Sequence, residues 1–192
     1  MNTRLCAYED LTPRQREQLR EIEVRPEQIA FCGTIESALH SLPVQPQAGI
    51  KGLVLLNDEL PVAFLLLKRE PLLAHWAEPG CATLHALQVD SRAQGQGLGK
   101  ACLRELARAI EQIWPEIRQL MLSVSPFNTS AMAFYLSQGW VEQGEAYRGE
   151  RRLVLSLAPM LPLQLQASYA DFLIGSQISS SPVPVSALKS AL

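Results

Sequence analysis

Gly95, Gly97 and Gly99 alternate with other residues between an apolar segment ending at Val89 and a helically periodic stretch beginning at Leu98. This arrangement narrows the fold sharply. A strand has to end here, the backbone has to turn without Cβ atoms in its way, and a helix has to start within a few residues. Successive N–H groups in such a turn can face one anion. The first turn of the helix adds unpaired N–H groups and the positive end of its dipole. Lys100 and, one turn later, Arg104 supply full charges nearby. The pattern describes a phosphate cradle; the plain alternative is a tight strand-to-helix turn that binds nothing.

Spacing excludes two common phosphate loops. A P-loop has Gly six residues before its Lys and Ser or Thr after it, where this chain has Gln94 and Ala101. The dinucleotide pattern G-x-G-x-x-G needs glycine where Lys100 stands. What is present is Gln-x-x-Gly-x-Gly, from Gln94 through Gly97 to Gly99. Together with the strand before it, the segment from Leu84 to Lys100 resembles the acyl-CoA signature of the GNAT superfamily of N-acetyltransferases. The resemblance implies that the loop amides hold the pyrophosphate of coenzyme A. Carried onto this chain, the cofactor-side residues are Leu87, Val89, Gln94, Gly95, Gly97, Leu98, Gly99 and Lys100.

A second block follows in the family's order. Asn128, Ala131, Tyr135, Gly139 and Trp140 resemble the GNAT pattern of Asn, then Ala, then Tyr, then Gly followed by an aromatic residue. The resemblance covers Leu53 to Leu157. Asn128 and Tyr135 lie almost two helical turns apart, so they face nearly the same way, separated by about 10 Å along the axis. Asn128 can cap its helix and offer polar groups to a pantetheine arm. A phenol stays protonated at neutral pH and can donate to a departing thiolate, so Tyr135 is the candidate catalytic acid. Its alternative is a half-buried core aromatic.

The implied reaction is direct acyl transfer from a thioester to an amine. In the family a free backbone N–H on the strand before the glycine loop steadies the oxyanion. Leu87 and Val89 are the candidates, since a bulge or splay would release their N–H groups from the ladder. His85 is the candidate general base, directly or through a water. Strict alternation would put it on the face of Leu87 and Val89, and imidazole titrates near working pH. Many family members have a carboxylate near this point, and this chain has none between Thr83 and Gln88. The alternatives are a hydrogen-bonded core histidine, or an acceptor site lined by Glu21, Glu23, Glu27 and Glu36.

Composition sets the remaining bounds. A chain of 192 residues can bury a real core, and 47% hydrophobic with 19% charged residues describes an ordinary globular protein. A net charge of −2 provides no pull toward nucleic acid or an anionic membrane. Cys6, Cys32, Cys81 and Cys102 lack C-x-x-C spacing, and His40, His75 and His85 do not cluster with them. No metal site is expected, and the thiols fit a reducing cytosol. The N-terminus carries no signal pattern, and the longest apolar runs are too short to cross a bilayer, so the expected location is cytoplasmic.

Local patterning divides the chain into a domain over 1–158 and a weakly charged tail over 159–192, with a short helix around Tyr169 to Ile174. Thr12-Pro13-Arg14-Gln15 reads as a capping box, and a short helix follows Thr34. Strands are expected at Leu53–Leu56, Val62–Leu67, Thr83–Val89 and Leu120–Val124. Trp140–Glu145 and Arg152–Leu157 form a closing hairpin. Helices are expected from Leu98 to Trp114 and from Asn128 to Gly139. The expected fold is α/β: a GNAT-like, mixed, mostly antiparallel twisted sheet of six to seven strands, flanked by helices and splayed at the cofactor cleft.

The expected function is transfer of an acetyl group from acetyl-CoA to a primary amine within a ternary complex, without a metal. Arg25 to Phe31 is similar to the Gln-x-x-Phe segment before the sheet in bacterial polyamine acetyltransferases, which implies a small amine or polyamine acceptor. A non-catalytic acyl-CoA sensor, or an enzyme acting on a peptide or drug amine, are the alternatives. The tail could cover a second copy, so homodimerisation stays open.

Overall fold

The computed structural model describes residues 2–157. The tail expected over 159–192, and the short helix within it, lie outside the described residues. Side-chain caps set the first helices. Thr12 Oγ1 accepts from Gln15 N while Gln15 Oε1 accepts from Thr12 N, starting α1 (Pro13–Arg20), which buries Leu19 completely. Thr34 and Ser37 repeat the exchange at α3 (Ile35–His40). Between them lies α2 (Pro26–Cys32), which periodicity does not mark because its apolar residues Ile29 and Phe31 remain exposed. The short strand β1 (Thr3–Ala7) also lacks a clear alternation, being a half-buried edge.

The sheet contains β1, β2 (Ile50–Asn57), β3 (Leu60–Lys68), β4 (Ala82–Val89), β5 (Gln119–Val124), β6 (Val141–Glu145) and β7 (Arg151–Ser156). Their order is β1-β2-β3-β4-β5-β7-β6, and every neighbouring pair is antiparallel except β4 and β5. The continuous apolar runs of β2 and β3 follow from burial on both faces. On one face, α4 (Leu98–Ile113) packs Leu98, Cys102, Leu106 and Ile110 against Leu53, Leu65, Leu84 and Leu122. Each fully buried Leu or Ile contributes about 1.5–3 kcal/mol. The helix α5 (Thr129–Ser137) leans on the same core through Ala131, Met132, Phe134 and Tyr135. On the opposite face, α1 and α3 cover Val54, Leu56, Phe64 and Leu66.

Two features of β4 open the sheet. Its parallel ladder with β5 consists of Ala82 opposite Leu120 and Thr83 opposite Met121, after which the strands part. Its register against β3 also slips. Leu66 pairs with His85 and Phe64 with Gln88, leaving Ala86 and Leu87 opposite Leu65 alone. Ala86 takes the extra turn of this bulge in the left-handed region, at φ 49°. The bulge overturns strict alternation. Leu84, Leu87 and Val89 face α4, whereas Ala86 joins the core under α1 and α3. His85 hydrogen-bonds Thr83, and Gln88 reaches the end of α2, so both lie on that second face. The expectation that His85 shares the face of Leu87 and Val89 is thereby corrected.

Candidate active site

The parted strands frame a cleft of about 820 Å³. Leu87, Val89, Gln94, Gly95, Gly97, Leu98, Gly99, Lys100 and Asn128 all line it, as do His85 and Tyr135. Thus the catalytic and cofactor-side residues drawn from the sequence come to one cavity, although they are spread over the β4–α4 and β5–α5 junctions.

The glycine turn presents bare backbone to the cleft. Gly95 and Gly97 have φ of 78° and 79°, a conformation that side chains resist, and a Cβ on either would meet nothing within 4 Å. Gly97 starts α4 with no side-chain cap, and the first helical bond runs from Ala101 N to Gly97 O. The N–H groups of Leu98, Gly99 and Lys100 therefore have no intrahelical acceptor at the positive end of the helix. Gly99 serves packing instead. A Cβ there would lie 3.3 Å from Phe134 Cζ, so its absence lets α5 close on α4. Below the turn, Asp90 receives Arg92 Nε at 2.9 Å and is almost fully buried. Burial opposes the charged carboxyl, but the Arg92 hydrogen bonds and charge outweigh it and hold Asp90 below the usual carboxylate range.

Gln94 acts differently from a phosphate ligand. Its Nε2 donates to Val89 O at 2.9 Å and to Gln28 Oε1 at 2.8 Å, bracing the end of β4 and tying α2 to the turn. Its side chain positions the cradle, and only its backbone is left for an anion. The backbone just beyond β4 orients the strand. Asp90 N donates toward β3, to Val62 O at 2.9 Å, so alternation turns the N–H groups of Val89 and Leu87 toward the gap. With no β5 ladder beyond Thr83, they have no strand partner there.

Across the gap, Asn128 Oδ1 accepts from Ala131 N at 3.1 Å, capping α5 and leaving Nδ2 as the group it can offer to the cleft. Tyr135 packs edge-on against Trp140, with ring centroids 5.6 Å apart. Burial, with the Cys102 and Cys32 thiols nearby, pushes its phenol up, so the proton stays on the oxygen. Burial also pushes the Cys102 thiol up to about 12 and raises Cys32, which makes both poor nucleophiles.

His85 reaches the cavity from the other face. Its Nε2 lies 2.8 Å from Thr83 Oγ1, and that hydroxyl donates to Lys68 O. With the hydroxyl proton committed to Lys68 O, Nε2 carries the imidazole hydrogen and Nδ1 keeps the lone pair. Burial, then the charge of Lys68, pushes the imidazole down to about 4. It is neutral at working pH and a weaker base than an ordinary histidine. Glu21, Glu23, Glu27 and Glu36 are exposed and none lines the cleft, which removes them as an acceptor lining. Among the described residues the carboxylate that does line it is Glu150; Ser123 and the α2 residues Ala30 and Phe31 line it too. No motif marks Glu150. It ends the β6–β7 hairpin turn, remote from both signature blocks, and only the sheet order carries it to the gap. Among the described residues no group of three or more His, Cys, Asp or Glu side chains could hold a metal, and no helix is long and apolar enough to cross a membrane.

A parted parallel pair beside a glycine-started, uncapped helix gives the sheet an open cleft at that point. Residues 10–140 match the model of the Acetyltransferase (GNAT) family, and the chain belongs to that family of acyl-CoA-dependent N-acetyltransferases. No curated protein matches it in sequence. Among solved structures, an acetyltransferase from Thermus thermophilus is 24% identical, with a TM-score of 0.61 over 82% of this chain and 98% of that one. The aminoglycoside acetyltransferase AAC(6')-Ib in complex with coenzyme A is 19% identical, with a TM-score of 0.61 over 81% of this chain and 95% of that one. The ribosomal-protein-S18-alanine N-acetyltransferase from Escherichia coli is 21% identical, with a TM-score of 0.54 over 84% and 97%. These likenesses establish the fold: a mixed, mostly antiparallel open sheet flanked by helices.

Proposed function

We propose that the protein transfers an acetyl group from acetyl-CoA directly to a small primary amine, both being bound in the cleft at once. The observation that carries this reading is the convergence on one cavity of the uncapped glycine start of α4, the unladdered edge of β4 and the Tyr135 phenol. The amides from Gly95 to Lys100 hold the diphosphate of the donor. Leu87 and Val89 N–H groups face the carbonyl oxygen as it gains charge.

The amine lone pair attacks the thioester carbon, a C–N bond forms, and the C–S bond breaks. Tyr135 gives its proton to the leaving sulfur and recovers one from solvent. The proton shed by the amine leaves through water beside His85 Nδ1. An imidazole pushed down to about 4 passes that proton on rather than holding it. No cysteine takes part, in keeping with the raised thiols. The setting implied for such chemistry is the cytosol.

A set of primary amines incubated with acetyl-CoA, with free thiol followed over time, tests the reading. Amine-dependent thiol release is expected. No thiol release with any amine, while CoA still binds, would overturn it in favour of an acyl-CoA sensor.

A further inference from the structure

The face of the gap opposite α4 carries an unusual balance of groups. Glu150 is the carboxylate of the cleft lining, and it enters no ion pair among the described residues, whereas its neighbours Arg151 and Arg152 engage Glu142 and Glu78. Leu153 faces α4 and Val154 the other way, so alternation along β7 puts Glu150 on the face away from α4. Ser123, between Leu122 and Val124 of the α4 core, points to that same face. So does His85. Ala30 and Phe31 of α2 line the same cavity, the phenyl ring 46% exposed, so the ring offers an aromatic surface on which an apolar ligand body can pack.

By the same alternation Arg152 stands on this face, where it engages Glu78, while Glu150 has no ion-pair partner among the described residues. A ligand with one positive charge finds a partner at Glu150. Among the described residues no second carboxylate lines the cleft, so a ligand with several charges would find only that one partner. Polycations gain affinity from several carboxylates, and an uncompensated cation in a half-dry site costs more than it contributes.

Resting on the acetyltransferase reading above, we infer that Glu150 anchors the acceptor's ammonium group and that the acceptor is a monocationic primary amine with an apolar or aromatic body that packs on Phe31. Polyamines are thereby poor acceptors, contrary to what the Arg25–Phe31 resemblance implied. Glu150 is a specificity-determining residue here: it binds the amine before the proton is lost and takes no part in breaking the thioester.

The test compares 2-phenylethylamine with spermidine at saturating acetyl-CoA, in the native protein and in Glu150→Gln and Glu150→Asp. The native enzyme is expected to show a kcat/KM at least tenfold higher for 2-phenylethylamine. Glu150→Gln should raise KM for that amine about tenfold or more with kcat within twofold and CoA affinity by calorimetry unchanged, and Glu150→Asp should recover part of the loss. Spermidine as the equal or better substrate, or an unaltered KM in Glu150→Gln while thiol release continues, would overturn the inference and leave the transferase reading standing. Thiol release with neither these amines nor any other would overturn both.

Discussion

The two faces of the β4–β5 gap are built by different means. On the α4 face, backbone does the work: two glycines in the left-handed region, helical N–H groups without a cap, and strand N–H groups without a ladder. On the face of α1 to α3, isolated side chains do it: His85, Ser123, Phe31 and Glu150. A backbone site tolerates little sequence variation, because it depends on glycine and on the register of a helix start. A side-chain site can be re-specified one residue at a time. On the proposed reading, the α4 face takes the donor through backbone groups and the other face takes the acceptor through side chains.

Substitutions should separate the two halves. The largest effect is expected on the α4 face: Tyr135→Phe should lower kcat by about 10²-fold or more, the usual scale for a lost general acid, and leave CoA affinity within about twofold. Stopped-flow or steady-state thiol release beside calorimetry reads both quantities, and an unchanged kcat across the pH range would remove the acid role. On the other face the loss of the Glu150 charge should move the amine KM instead, by about tenfold, so the two variants should give opposite kcat and KM signatures.

A third contrast concerns stability rather than rate. His85 is held neutral in the fold, with its imidazole pushed down to about 4 from an ordinary value of 6.5. As pH falls through 6.5 the unfolded chain takes up this proton first, so the His85 contribution to stability should decline from about pH 6.5 to about pH 4 and level off below. Urea unfolding at pH 7.5 and 4.5 should show the native protein losing up to about 3 kcal/mol more than His85→Gln across that window. Equal losses in the two proteins would mean that His85 titrates as an exposed imidazole.

The difference between the faces also explains what the sequence made legible. Gly97, Asn128 and Gly139 declare the ends of α4 and α5 because each performs a task few residues can. The capping box at Thr12 is equally plain, and the short helix expected after Thr34 is α3. The sheet of six to seven strands and its splay followed from the family resemblance and hold in the structure. The bulge at Ala86 left no trace, since alanine in the left-handed region has no marker, and the face of His85 was misread for that reason. Nothing local distinguishes Glu150 from other hairpin carboxylates. Its place in the cleft lining arises only when β7 inserts between β5 and β6 and brings the turn to the gap. Likewise α2 escaped notice because its apolar residues face the cleft and solvent instead of a core.

The backbone cradle at the start of α4 is tested most directly by titrating the native protein with coenzyme A and, separately, with pantetheine, which keeps the thiol arm but lacks the diphosphate. Coenzyme A should bind at least about 100-fold more tightly, a difference of about 2.7 kcal/mol, and the gap should narrow as salt rises. Equal affinity for the two, insensitive to salt, would contradict a diphosphate held by Gly95 to Lys100.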